Sequence, residues 1–159
     1  MKPRIFPDAR GYFYECHRLS DTRTLPLVQS NLCRSRRGVL RGLHLQKVQP
    51  QAKLVSVVRG AIFDVAVDVR PQSPTFGQWR GFRLDDENHH QLYIPIGFAH
   101  GYCVLSEEAD ILYQCSDYYH PGSEVSILWN DSDIGIEWPV SDPILSQKEA
   151  LGIPLQEYA

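Results

Sequence analysis

Residues 61–70, AIFDVAVDVR, set Phe63, Val65, Val67 and Val69 in strict alternation with Asp64, Ala66, Asp68 and Arg70. Side chains repeat every two residues only on an extended strand, so this stretch predicts a half-buried β-strand. The same grammar recurs along the chain. VLRGLHLQ, AKLVSVV, GQWRGFRL, HQLYIPIGF, GYCVLS, DILYQCSDYY and VSILWN read as further short strands. Between them lie the turn clusters RPQSPTFG, DDEN, SEEA and HPGS. AKLVSVV and AIFDVAVDVR, meeting at Arg59-Gly60, predict a hairpin. Many short strands with such punctuation predict an all-β sandwich or jelly-roll barrel. No repeat or linker divides the chain, so residues 1–159 are expected to form one domain. One short helix is predicted in SQKEALGIP, with Ser146 as N-cap, Glu149 as its capping-box partner, and Gly152 and Pro154 as stops.

Composition narrows the function. Hydrophobic residues make up 43% and charged residues 22%, ordinary for a soluble globular chain. No apolar run reaches the roughly 20 residues of a membrane helix, and MKPRIFPDARGYF carries no apolar signal core. Cys16, Cys33, Cys103 and Cys115 lie far apart without a CxxC pair, so reduced thiols and a cytoplasmic address are expected. The net charge of −3 hides an asymmetry. Between Asp21 and Asp64 there is no acidic residue, yet Arg23, Arg34, Arg36, Arg37, Arg41, Lys47, Lys53 and Arg59 fall there. Such a run is either a solvated basic face or a site for an anion such as a diphosphate. Nucleic acid fits less well, because residues 22–62 contain no Phe, Trp or Tyr on which bases could stack.

RGLHLQ, residues 41–46, places His44 alone in an apolar strand. A barrel strand carrying a histidine raises the question of a cupin metal site, which generally needs an HxH pair with a Glu and a later His. Gln46 stands where the second His would be, and His89-His90 follow the turn-like DDEN and are expected at the surface. No metal site is therefore expected, and His44 is free to titrate near pH 6.5 as a general base. The competing reading is a hydrogen-bonded core histidine. Lys53 opens the next strand, and Tyr113 and Tyr119, six residues apart, share a face about 20 Å long if the strand is straight. A base, a cation and a phenol suit proton abstraction beside a ketone, with the enolate held by the ammonium and a proton returned on the opposite face. As an isolated residue Tyr113 reads equally as a core aromatic.

DARGYFYE, GVLRGLHLQ, QAKLVSVVRGAIFDVAVDVR, SPTFGQW, QLYIPIGFAHGY, ADILYQCSDYY and WNDSDIGIEWP follow one another in an order and spacing that resemble the dTDP-4-dehydrorhamnose 3,5-epimerase family over residues 6–154. The resemblance implies a metal-free cupin jelly roll, usually a homodimer, acting without a cofactor on a dTDP-4-keto-6-deoxyhexose in deoxysugar biosynthesis. It implies His44 as base, Lys53 as the enolate-stabilising cation and Tyr113 as acid. Arg10 and Arg41 match diphosphate-binding arginines, and Glu15, Gln29 and Asn31 match substrate contacts. Phe6 and Tyr119 match positions near the thymine, and His100 matches a second active-site histidine. Arg41 and His44 are an odd number of residues apart, so Gly42 is expected to mark a bulge if both reach ligand. Several departures stand out. Glu149 occupies the place of an Asp that orients the family's base, and the loop from His44 to Lys53 is one residue short. Leu32 and Cys33 replace more polar residues, and about a dozen residues that form the family's first strand do not precede Phe6 here. These departures leave open a monoepimerase acting at C3 or C5 alone, or a non-catalytic sugar-nucleotide-binding cupin.

Overall fold

The protein is described by a computed structural model covering residues 1–20 and 25–158, so Asp21 and Arg23 of the basic segment lie outside the described residues. A small hairpin, β1 (Phe6–Asp8) and β2 (Gly11–Phe13), comes first. Then follow β3 (Gln29–Arg36), β4 (Leu40–Gln46), β5 (Lys53–Arg59), β6 (Ala61–Asp68) and β7 (Trp79–Asp85). β8 (Gln91–Ile94), β9 (Phe98–Val104), β10 (Glu108–Cys115) and β11 (Glu124–Ser126) complete the strands. Two one-turn helices, α1 (Gln147–Ala150) and α2 (Leu155–Tyr158), end the chain. The strands form two antiparallel sheets, β3-β10-β5-β8 and β11-β4-β9-β6-β7, laid face to face as a cupin-type jelly roll.

Two apolar clusters hold this arrangement. Between the sheets, Val55, Val57 and Ile111 of the smaller sheet pack against Ile62, Leu84 and Val104 of the larger. Behind the larger sheet, Leu43, Leu45, Val65, Val67 and Val69 are covered by Ile127, Ile134 and Leu155 of the C-terminal segment. The alternation in β6 is therefore real, but both faces are buried. Asp64 and Asp68, expected on a wet face, are 0% and 1% exposed. Each has partners inside. Asp68 accepts from Arg70, Ser73 and Thr75, while Asp64 meets His100.

The hairpin predicted at Arg59-Gly60 does not form. β5 pairs with β10 and β8, whereas β6 pairs with β7 and β9 in the opposite sheet. Gly60 is the corner between sheets: its φ is +81°, and a Cβ there would sit 2.1 Å from the Glu108 carbonyl oxygen. The bulge expected at Gly42 does form. The β4–β9 register shifts between Arg41 and His44, Gly42 has φ +126°, and a Cβ would meet Gly101 Cα at 2.4 Å. His89 departs from its surface expectation. It is buried against the rings of Tyr12 and Tyr14, at 4.8 and 4.9 Å, because β2 and the residue that follows it pack over it; His90 is half-buried. The hairpin β1–β2 pairs only with itself and leaves Phe6, Tyr12 and Phe13 exposed.

Candidate active site

Near one end of the barrel, side chains from both sheets line a cavity of about 80 Å³, among them Gln29, Asn31, His44, Lys53, Tyr113 and Tyr119. His44 enters from the larger sheet, and Lys53 and Tyr113 from the smaller one. In the ladder of the smaller sheet Tyr113 pairs with Asn31, and Cys115 stands between Gln29 and Lys53, so this cavity wall is built of register neighbours. The Gly42 bulge turns His44 inward two residues before Gln46.

His44 Nε2 is sealed from solvent and lies 3.1 Å from Glu149 Oε1, an electrostatic contact too bent for a linear hydrogen bond. The carboxylate beside Nε2 favours the proton there and leaves Nδ1 as the accepting nitrogen. Burial, with Lys148 and Lys53 nearby, lowers the His44 pKa to about 4 against the opposing pull of Glu124 and Glu149. The imidazole is therefore neutral at physiological pH. Burial also pushes the Lys53 ammonium down and the Tyr113 phenol up, so the phenol keeps its proton. Opposite His44 in the β4–β9 register stands His100, whose Nε2 is 3.1 Å from both oxygens of the fully buried Asp64.

Glu149 does two things at once. Its Oε2 closes the capping box expected from SQKEALGIP, accepting from the Ser146 backbone N–H at 3.0 Å and from the Ser146 hydroxyl, while Oε1 faces His44. Burial works to raise its pKa, but the Ser146 bonds and His44 hold it below the usual carboxylate value.

Tyr119 reaches the cavity by a different path from the one expected. β10 ends at Cys115, so Tyr113 and Tyr119 do not share a straight strand. The Tyr119 backbone N–H donates to Gln29 Oε1 at 2.9 Å, and Gln46 anchors the same segment by accepting from His120 N–H at 2.7 Å. Gln46 also donates to the Gln49 carbonyl, so its amide is committed to backbone. Among the described residues no group of three His, Cys, Asp or Glu side chains is arranged to hold a metal ion.

Five of the expected substrate contacts lie outside this cavity, His100 among them, buried on Asp64. Phe6 and Glu15 line a separate surface pocket with Met1, Lys2, Arg4 and His17. Glu15 pairs with Arg18 there, and the Arg10 side chain is 90% exposed and paired with Asp8. Arg41, on the near side of the bulge, donates from Nε to Ser35 Oγ at 3.1 Å. The basic segment thus divides. Arg34 and Arg59 pair with Asp110 and Glu108 at the surface, while Lys53 turns inward.

Sequence reasoning missed three charged neighbours of the cavity. Glu124 lines it, accepts from Tyr119 Oη at 2.8 Å, and pairs with Lys148. Asp64 was read as a solvent-facing strand residue. Lys148 had one available signal, its place directly before Glu149 in the predicted helix.

The sequence matches the model of the dTDP-4-dehydrorhamnose 3,5-epimerase family over residues 1–157. A dTDP-4-dehydrorhamnose 3,5-epimerase of Salmonella typhimurium (strain LT2) is 50% identical, with 100% of this chain and 90% of the relative covered. One of Neisseria gonorrhoeae is 49% identical over 96% of this chain, which spans about half, 48%, of that relative's length. Among solved structures, the dTDP-6-deoxy-D-glucose-3,5-epimerase of Legionella pneumophila Philadelphia 1, in complex with dTDP-4-keto-L-rhamnose, superposes with a TM-score of 0.95 at 50% identity. That superposition covers 98% of this chain and 86% of the other. With two opposed walls carrying a neutral imidazole and a protonated phenol, and a match along nearly its whole length, the chain belongs to the dTDP-4-dehydrorhamnose 3,5-epimerase family.

Proposed function

We propose that this protein is an isomerase that epimerises a dTDP-4-keto-6-deoxyhexose at C3 and C5, the carbons flanking one ketone, in deoxysugar biosynthesis. The observation that carries the reading is the placement of His44 and Tyr113 on opposite sheets around one cavity. In the reading, His44 Nδ1 removes the C–H proton, and the electron pair moves onto the C4 oxygen as an enolate. The Lys53 ammonium stabilises that oxygen, and Tyr113 Oη returns a proton to the carbon from the other face, which inverts it. The phenolate then recovers a proton from solvent and the imidazolium releases one, so the chemistry balances with no cofactor. Glu149 orients His44, Gln29, Asn31 and His100 hold the sugar, and Tyr119 stacks near the base.

The same reading takes the protein as a homodimer of one-domain chains. The cavity of one chain, about 80 Å³, is smaller than the roughly 300–1,000 Å³ of ligand-sized pockets. Phe6, Arg10 and Glu15 sit on or beside a self-paired hairpin with exposed aromatic rings, suited to completing a partner's nucleotide site. Light scattering on the purified protein reads this directly, and a monomer at working concentration would rule it out. Four free thiols agree with a reducing, cytoplasmic address, and no described helix is long and apolar enough to cross a membrane.

The deciding experiment is turnover of dTDP-4-dehydro-6-deoxyglucose in D₂O followed by NMR. Deuterium at both C3 and C5 with inversion is the expected result. Exchange at a single carbon would make the protein a monoepimerase, and no exchange at all would leave a binding protein.

A further inference from the structure

Helix α1 is a single turn of four residues, too short to hold itself wound. It nevertheless supplies Lys148 and Glu149 to the neighbourhood of His44. What keeps it closed is Ser146. The Ser146 hydroxyl oxygen accepts from the Lys148 N–H at 3.2 Å, while its hydroxyl hydrogen and its backbone N–H are both given to Glu149 Oε2. Glu149 is only 4% exposed, so water does not compete for that oxygen. With Oε2 pinned by two donors, rotation of the carboxylate is blocked and Oε1 is left facing His44 Nε2.

We propose that Ser146 is a positioning residue for the proton transfer: by fixing one oxygen of Glu149 it holds the other against the imidazole of His44. The inference rests on the reading of His44 as the base. Lys148 bonds to Ser146 only through its backbone and sends its ammonium to Glu124, Lys53 lies on β5, and His100 is held by Asp64, so among the described charged side chains around His44 it is the Glu149 carboxylate that bonds to Ser146.

A capping role and a positioning role separate by chemistry. Thr caps a helix and has a hydroxyl hydrogen to donate. Asp caps as well as Ser but has no hydrogen to donate, and it sets a second carboxylate beside Glu149. Full-length Ser146→Thr, Ser146→Asp and His44→Asn variants are compared by deuterium exchange into dTDP-4-dehydro-6-deoxyglucose, with circular dichroism as the check on folding. Ser146→Thr is expected to retain exchange within about threefold, and Ser146→Asp to lose kcat by about tenfold or more with KM little changed. A folded Ser146→Asp protein with wild-type kcat would overturn the proposal. Where Ser146→Asp does not fold, Ser146→Gly serves, since Gly costs a cap little and lacks the hydroxyl; wild-type kcat there overturns it equally. The underlying reading fails separately, if His44→Asn itself exchanges at the wild-type rate.

Discussion

At the scale of single residues, burial moves the pKa values of the cavity's titratable groups away from their ordinary positions. His44 has a pKa near 4, chiefly because it is buried. The base limb of kcat/KM should therefore fall off below about pH 4 rather than near pH 6.5, measured as exchange rate against pH in the free-enzyme regime. The same shift has a stability sign. Between pH 6.5 and about 4 the unfolded chain binds a proton at His44 that the folded chain does not, so stability falls as pH falls through that window. Tyr113 gives a sharper test of roles. Tyr113→Phe keeps the ring and removes the proton, so deuterium should still enter with retained configuration while the inverted product falls by about 10² or more. A mutant with both rates unchanged would return Tyr113 to a packing role. His44, Lys53 and Tyr113 stood out because each lies in a stretch read as a strand and in a motif that resembles the family's, and the cavity brings all three together. Glu124 and Asp64 were not, since a carboxylate on a strand reads as solvent-facing until the covering sheet is known.

Among the elements, β4 carries the heaviest constraint. Arg41 and His44 would point to opposite faces of a regular strand, and the β4–β9 register shifts between them. The bulge was expected from the sequence on the premise that both residues reach ligand. The sequence could not show that Gly101 of β9 approaches closely enough to exclude a Cβ. Gly42→Ala is expected to destabilise the fold by about 2 to 5 kcal/mol, from overpacking and backbone strain together. Thermal unfolding measures this, and activity per folded molecule should fall as well, because the clash is with the backbone that carries His100. The Arg59-Gly60 corner shows the opposite lesson. Two alternating strands joined by a glycine look alike whether they pair or pass to opposite sheets, since that choice is made by β8, β9 and β10 far along the chain. Tyr119 was misplaced for a related reason. Strand periodicity was carried past Cys115, where the ladder with β5 and β3 ends.

Over the whole molecule, the jelly roll was legible from punctuation and alternation, while the route of the described residues after β11 was not. They contain little regular structure, and what holds them is long-range. Val39 bridges Ile144, Ile127 bridges Ile153, and Asp131 accepts from the Leu155 N–H at 2.8 Å. This tail backs the larger sheet and also brings Lys148 and Glu149 beside His44, so on the proposed reading its detachment is expected to cost activity. Segments tied down by few bonds open at lower free energy than central strands. Two of the three tryptophans, Trp129 and Trp138, lie in the tail, with the Trp138 indole N–H donating to the Trp129 carbonyl at 2.7 Å. In a urea titration, tryptophan emission and activity should decline together, ahead of the far-UV signal of the strands. Coincident transitions would mean that tail and barrel melt as a single unit. If the tail does open first, a fluorimeter reads the loss of catalytic competence while the barrel is still folded, and stabilising the tail becomes the route to an enzyme that stays active for longer.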